Sequence, residues 1–273
     1  MTSFASILRI IGAITVIVAM SAFLIQDWAV GNDINRYYIL LAQTVLLALG
    51  GLGLSYGLKE NKGARVFFGL GLISITMNMA TLGALIFSIT QWGSELAQYP
   101  GFVKWVAADF GTIGLALVAT LAVSAPVAIF SQMVLARKSF KLLVVLSLFT
   151  NLLLLFPVRE SFFVGIVVIA AILVPLYFIH KQMQKDTALR TPEGAFAIAS
   201  LFIPALIIIA RSVWLYPVDE LLMIVLGGTT FTALRIASTQ MEKGKIANSV
   251  VNFLSLIASL FVAIPLALLA EKF

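Results

Sequence analysis

Apolar runs of about 20 residues recur along the whole chain, and a continuous run of this length is typical of a helix that spans a bilayer. Of the 273 residues only 11% are charged and 61% are hydrophobic, whereas about a quarter of a soluble domain is charged. The polar surface is therefore too small to cover a globule in water. A membrane β-barrel would instead show alternating segments of about ten residues. The sequence predicts an all-α integral membrane protein.

Nine segments are long and apolar enough to be predicted as spans, which gives a bundle of about nine transmembrane helices in one polytopic membrane domain over residues 1–273. Their bounds are roughly 4–26, 37–58, 66–90, 111–136, 140–157, 161–180, 195–216, 218–238 and 246–270. The connections are too short to hold a folded soluble domain. The apolar stretch of the first span is long and its cleavage site is poor, which favours a retained helix over a cleaved signal peptide. Cleavage would leave eight spans in the same orientation.

The basic residues alternate between connections as nine spans require. Twelve lie on one side and four on the other, and the positive-inside bias places the amino terminus in the cytoplasm and the carboxyl terminus outside. The richer set is Arg9, Lys59, Lys62, Arg65, Arg137, Lys138, Lys141, Lys181, Lys185, Arg190, Lys243 and Lys245, and the poorer set is Arg36, Lys104, Arg159 and Lys272. The predicted location is a bacterial inner membrane.

The four tryptophans support this sidedness independently. Trp28, Trp92, Trp105 and Trp214 all fall at the predicted outer interface, where indole rings prefer to lie. Segment 91–110 joins two of them and mixes apolar with charged residues around a Pro–Gly break. It predicts one or two short helices on the outer surface, either as a connector or as a lid over an outward cavity.

Helix breakers and starts are also visible. Thr191, Pro192 and Glu193 form a helix-start pattern before the seventh span. Prolines inside spans remove a backbone hydrogen bond and are expected to kink their helices. They are Pro126, Pro175, Pro204 and Pro265.

Amide side chains within the spans are the candidate lining of a solute path: Asn78, Gln43, Asn248 and Asn252. Asn78 lies near the middle of its span, and Asn248 and Asn252 share one face of the ninth. The alternative for each is a bridge between helices, typically for about 1 kcal/mol.

Arg211 is expected about one turn below the outer surface, with its guanidinium reaching toward the headgroups. The turn at Pro217 brings Asp219 and Glu220 near it. This set predicts either an interfacial ion pair that fixes a helix hairpin or an anion site.

Arg235, with Lys243 and Lys245, lies at the predicted cytoplasmic end of the eighth span. It is either a positive-inside anchor or a site for lipid phosphate from the inner leaflet. Gly53 and Gly57 form a small-xxx-small pair, which favours close packing within the chain or self-association.

Several residue types and motifs that catalysis or metal binding needs are absent from the sequence, and this limits the classes of function. The sequence has no cysteine, one histidine (His180), and no acidic residue near the centre of a span. It has no catalytic motif, so we expect no enzyme activity, no metal site and no cofactor, and the basic residues indicate a bilayer partner rather than nucleic acid. Two functions stay open: a permease or channel-like protein for a small or amphipathic solute, and a non-catalytic subunit or scaffold of a larger membrane complex.

Overall fold

The computed structural model describes residues 33–215 and 219–240, together with a few single positions in the two terminal segments. This part of the chain is built from α-helices joined by turns and short 3-10 segments. The α-helices are α1 (Ile34–Leu52), α2 (Asn61–Thr90), α3 (Phe110–Leu135), α4 (Phe140–Leu152), α5 (Ser161–Met183), α6 (Pro192–Ser200), α7 (Ile203–Leu215) and α8 (Glu220–Gln240). The predicted spans 4–26 and 246–270 lie outside the described residues.

Four helices of the described part are long and apolar enough to cross a bilayer: α1 with its π-helical extension Gly53–Gly57, then α2, α3 and α5. The pair α6 and α7 makes a fifth if it is counted as one bent span. Shorter apolar helices cover Phe140–Leu155 and Leu222–Ala233. The described part of the chain is thus all-helical, with four to five candidate membrane spans.

The predicted span 195–216 is two helices, α6 and α7, which meet at an angle of 43°. Before the bend the helix tightens, because Leu201 and Phe202 donate to the carbonyls three residues back, at 3.0 Å each. Pro204 follows at once and has no N–H to continue the ladder. Of the other predicted kink sites in this region, Pro126 and Pro175 stay inside the continuous helices α3 and α5.

The starts of α2, α3 and α6 are capped by side chains that accept a backbone hydrogen bond. The Glu60 carboxylate accepts from Gly63 N at 2.6 Å, and Asp109 accepts from Thr112 N at 2.8 Å. Thr191 accepts from Gly194 N at 3.3 Å, with Pro192 at the first position of α6. The predicted helix start at Thr191 is confirmed.

The basic connections meet at one end of the bundle, which we call the basic end (residues 58–60, 136–139 and 184–191). Arg65 Nη1 at the start of α2 lies 2.7 Å from Glu193 Oε1 in α6. Ser139 Oγ donates to Asp186 Oδ2 at 2.6 Å and accepts from Gln182 Nε2 at 3.0 Å.

The opposite end, which we call the tryptophan end, contains the start of α1, segment 91–109 and residues 156–160. Asp33 N donates to Val106 O at 2.8 Å, and Val106 N donates back to Asp33 Oδ2 at 2.9 Å. Arg159 N donates to Trp92 O at 2.9 Å. Segment 91–109 is therefore held to both α1 and the turn before α5.

The central helix of the bundle is α2, whose most apolar stretch is 67% buried against 28–44% for the other long spans. Small residues allow its close contacts. A Cβ atom at Gly83 would overlap the carbonyl oxygen of Leu154, and one at Gly71 would lie 3.1 Å from Val127. These contacts pack α3 and the end of α4 directly against α2.

Candidate functional site

A cavity of about 310 Å³ lies at the tryptophan end, between α2, α7 and segment 91–109. We call it the arginine cavity. Its lining residues are Met77, Ala80, Thr81, Ala84, Phe87, Leu96, Tyr99, Val103, Trp105, Arg159, Ile207, Arg211 and Leu215.

Helical spacing explains two of its walls. The lining residues from α2 are Met77, Ala80, Thr81, Ala84 and Phe87, and their spacing of i, i+3, i+4, i+7 and i+10 places them on one stripe of the helix. On α7 the lining residues Ile207, Arg211 and Leu215 are each four apart and also share a stripe. The two stripes face each other across the cavity.

Segment 91–109 forms the roof of the cavity. It contains two short 3-10 helices, Leu96–Gln98 and Gly101–Val103, where the sequence predicted one or two short helices. Both turns place apolar residues over the cavity, and Tyr99 stacks on Phe87 of α2 with ring centroids 5.4 Å apart. Leu96, Tyr99 and Trp105 are half-buried or buried here rather than spread on the surface.

Arg211 projects from α7 toward the middle of α2. Its Nη2 donates to the carbonyl oxygen of Ala80 at 2.5 Å. Ala80 lies ten residues before the end of α2 at Thr90, which corresponds to about 15 Å of helix. Arg211 itself lies four residues, about one helical turn, before the end of α7 at Leu215. Its guanidinium lies on a wall of the cavity.

Arg159 contributes a second guanidinium from the turn before α5. Its side chain is only 8% exposed, and its guanidinium carbon lies 4.8 Å from the centroid of the Phe87 ring, which is cation–π distance. Its Nη1 also donates to Phe156 O at 3.3 Å. Sequence reasoning counted Arg159 only as a basic residue of the poorer side. The available signal was an arginine directly after an apolar run and Pro157.

Trp105 of the roof also contacts Arg36 of α1. The guanidinium carbon of Arg36 lies 4.3 Å from the centroid of the Trp105 ring, and Arg36 Nη1 lies 3.8 Å from Asp33 Oδ1. Trp105 is 5% exposed. The ring is thus fixed between an arginine–aspartate pair and the cavity.

The charged side chains among the described lining residues of the arginine cavity are all positive. Two guanidiniums line it, and no carboxylate is present among its described lining residues. Charged hydrogen bonds strengthen where water is scarce, and arginine at membrane depth is a marker of a functional site. The remaining lining is apolar apart from Thr81, Tyr99 and Trp105, so the arrangement fits a molecule with an anionic group and an apolar body.

The predicted acidic partners of Arg211 lie at the start of α8. Asp219 is exposed and its Oδ1 accepts from Leu222 N at 2.8 Å, which caps the helix, and Glu220 is in the first helical turn. Neither residue is among those that line the arginine cavity.

Neither Asn78 nor Gln43 is among the residues that line the arginine cavity. Asn78 is fully buried, and its Nδ2 donates to Thr44 Oγ1 of α1 at 2.5 Å. Within the described part of the chain its Oδ1 has no hydrogen-bond partner. Gln43 is half-buried on α1. The structure therefore presents Asn78 as a bridge between α1 and α2.

The other predicted site residues fall at or beyond the described region. Asn248, Asn252, Lys243 and Lys245 lie outside it, and Arg235 lies in α8 with a side chain that is not described. Gly53 and Gly57 lie in the π-helical turn after α1. Both are exposed, and a Cβ atom at either would meet nothing within 4 Å.

Comparison with known proteins adds no functional assignment. No protein-family model, no curated protein and no solved structure matches the chain. The chemistry of the arginine cavity is therefore the basis for a functional proposal.

Proposed function

We propose that the protein is a permease that takes up an amphipathic solute with an anionic head at the arginine cavity. The observation that carries this proposal is the pair Arg159 and Arg211, which contribute two positive charges to an otherwise mostly apolar cavity. The positive-inside bias puts the tryptophan end outside, so the solute is taken from the outer face or the outer leaflet of a bacterial inner membrane.

Charge and shape together define the solute class. A small inorganic anion would leave the apolar walls from Met77, Ala84 and Ile207 unfilled. A neutral lipid would fill the apolar part of the lining but would bring no acceptor of negative charge to the two guanidiniums. An alkyl carboxylate or an alkyl phosphate satisfies both parts of the lining.

The broken helix supports passage rather than a purely structural role. One wall of the arginine cavity is α7, which meets α6 at 43° beside Pro204. Discontinuous helices at substrate sites are a recurring feature of transporters, where one element rocks against the rest. A rocking α7 would carry Arg211 with it.

Binding is tested by quenching of Trp105 with a brominated alkyl carboxylate. A protein with Trp28, Trp92 and Trp214 each replaced by Phe keeps Trp105 as its sole tryptophan. We expect saturable quenching, and a Kd raised about tenfold or more by Arg211→Gln or Arg159→Gln, since each lost charged hydrogen bond is worth about 1.5–3 kcal/mol. The matched control is Arg137→Gln, which removes an exposed charge at the basic end.

The headgroup and the transport step have separate readouts. A brominated alcohol of the same chain length should quench Trp105 fluorescence weakly. Equal quenching by the alcohol and the carboxylate, unchanged in Arg211→Gln, would contradict the anion site.

Uptake of the labelled carboxylate into proteoliposomes tests transport. Binding without uptake would favour the alternative function, a subunit or scaffold of a larger membrane complex.

A further inference from the structure

A second cavity, of about 540 Å³, lies between α5, α6, α7 and α8 at the basic end. We call it the basic-end cavity. It is lined by Ile172, Leu176, Ile179, His180, Met183, Leu189, Arg190, Ala195, Ile198, Ala199, Phe202, Ala205, Leu206, Ile209, Thr230 and Ala233. Ala205, Leu206 and Ile209 belong to α7, so this cavity lies behind the helix that carries Arg211.

The dimensions of the basic-end cavity match one leaflet of a bilayer. Its α5 lining runs from Ile172 to Met183, which is about 16 Å of helix at 1.5 Å per residue. Half of a hydrocarbon core of about 30 Å has nearly the same thickness. A cavity of this length would reach from the membrane surface at the basic end to about the middle of a bilayer.

Arg190 is the one charged residue among the described residues that line this cavity. His180 lies near the end of α5, and Arg190 closes the 3-10 turn Thr187–Arg190. Lys181 and Lys185 are exposed between them. Apolar side chains form nearly all of the deeper lining, where Thr230 is the single polar exception among the described residues.

Two carboxylates of the described residues lie near this cavity, Asp186 and Glu193, and both have other partners. Asp186 accepts from Ser139 Oγ at 2.6 Å and from Ala188 N at 3.0 Å. Glu193 lies 2.7 Å from Arg65 Nη1. Neither residue lines the basic-end cavity, so its mouth presents positive charge to the headgroup region.

We propose that the basic-end cavity holds one acyl chain of an anionic phospholipid, with its phosphate at Arg190 and His180. An apolar slot one leaflet deep with cations at the headgroup level is complementary to such a lipid, and basic pockets between membrane helices bind anionic headgroups. The bound chain fills the space behind α7 and braces it against α5. This site is independent of the solute proposed for the arginine cavity.

The test places the photocrosslinker p-benzoylphenylalanine at Phe202, inside the cavity. The control places it at Tyr177, which lies on α5 but is 64% exposed and does not line the cavity. Both proteins are reconstituted in bilayers of phosphatidylglycerol and phosphatidylcholine in equal amounts, irradiated and analysed by intact mass spectrometry. We expect adducts at position 202 to be enriched in phosphatidylglycerol and adducts at position 177 to reflect the bulk composition.

Charge variants complete the design. Arg190→Gln should lower the phosphatidylglycerol enrichment at position 202 about fivefold, whereas Arg190→Lys should keep most of it. Lys141→Gln, an exposed charge on another basic-end connection, should leave it unchanged. Equal lipid ratios at positions 202 and 177, or an enrichment indifferent to Arg190→Gln, would overturn the proposal. So would a crosslink from position 202 to another part of the same chain or to a second copy.

Discussion

At the scale of single residues, the polar contacts of Thr44 show how side chains hold this bundle together. Its hydroxyl accepts from Asn78 Nδ2 and lies 2.5 Å from Ser74 Oγ, while also donating to Leu40 O at 3.2 Å. All three polar side chains are buried at the contact of α1 with α2. Without water nearby, each group depends on the others for its hydrogen bonds.

Replacing Thr44 with Val should therefore destabilise the protein by about 1–3 kcal/mol, because Asn78 and Ser74 lose a buried partner. The control is Thr76→Val at an equally buried position of α2, whose hydroxyl donates to Leu72 O of its own helix at 3.4 Å. Its cost should stay under about 0.5 kcal/mol. Unfolding in mixed micelles titrated with dodecyl sulfate, followed by circular dichroism, measures both. Equal costs would mean that the Thr44 contacts add no stability.

At the scale of helices, the position of α4 depends on the absence of a side chain on α2. Gly83 lies directly against the carbonyl of Leu154, in the 3-10 turn Leu153–Leu155 that ends α4. A backbone atom cannot move aside as a flexible side chain can. The contact therefore fixes how closely the two helices approach.

Gly83→Ala should destabilise the protein by about 1–3 kcal/mol through overpacking. Gly114→Ala in α3 is the matched control, since a Cβ atom there meets nothing within 4 Å and alanine favours a helix over glycine. We expect Gly114→Ala to be neutral or stabilising under the same unfolding measurement. A neutral Gly83→Ala would show that α4 is free to shift away from α2.

The sequence predicted the helices much better than their breaks and their partners. Continuous apolar runs and the cap at Thr191 located most helix starts within a few residues. The bend between α6 and α7 could have been placed at Pro204, but Pro126 and Pro175 look the same in sequence and lie within continuous helices. The local sequence around each proline therefore does not separate the bend from the continuous helices.

At the scale of the whole molecule, the described part has a basic end and a tryptophan end. The contacts Arg65–Glu193 and Ser139–Asp186 gather three basic connections on one side. Hydrogen bonds from Asp33 and Arg159 gather the tryptophan-bearing segment on the other. This grouping agrees with the alternation seen in the sequence.

Thiol labelling tests the direction of this axis. The chain has no cysteine, so Glu95→Cys, Lys62→Cys and Lys185→Cys each introduce a single reactive group at an exposed position. An impermeant maleimide should label Glu95→Cys in intact cells and the two lysine positions only after permeabilisation, because basic connections stay in the cytoplasm. Labelling of Lys62→Cys and Lys185→Cys from opposite faces would contradict the topology.

The candidate site was only partly predictable from the sequence. Arg211 and the segment 91–110 were identified as candidates because both break an apolar pattern. Arg159 was missed, since its role depends on the distance from its guanidinium to Phe87, a residue from a different helix. Asn78 was chosen for its depth alone, and depth does not reveal whether an amide faces a cavity or, as here, Thr44.

The roof over the arginine cavity is tied down on both sides, through Trp92 to Arg159 and through Val106 to Asp33. Of the two routes proposed for the solute, the one from the outer leaflet is the one that leaves this roof in place. On that route the supply of the solute is set by how strongly it partitions into the bilayer, not by its concentration in bulk water. Homologous alkyl anions should thus differ in apparent potency mainly by their partition coefficients, and potencies corrected to mole fraction in the membrane should converge.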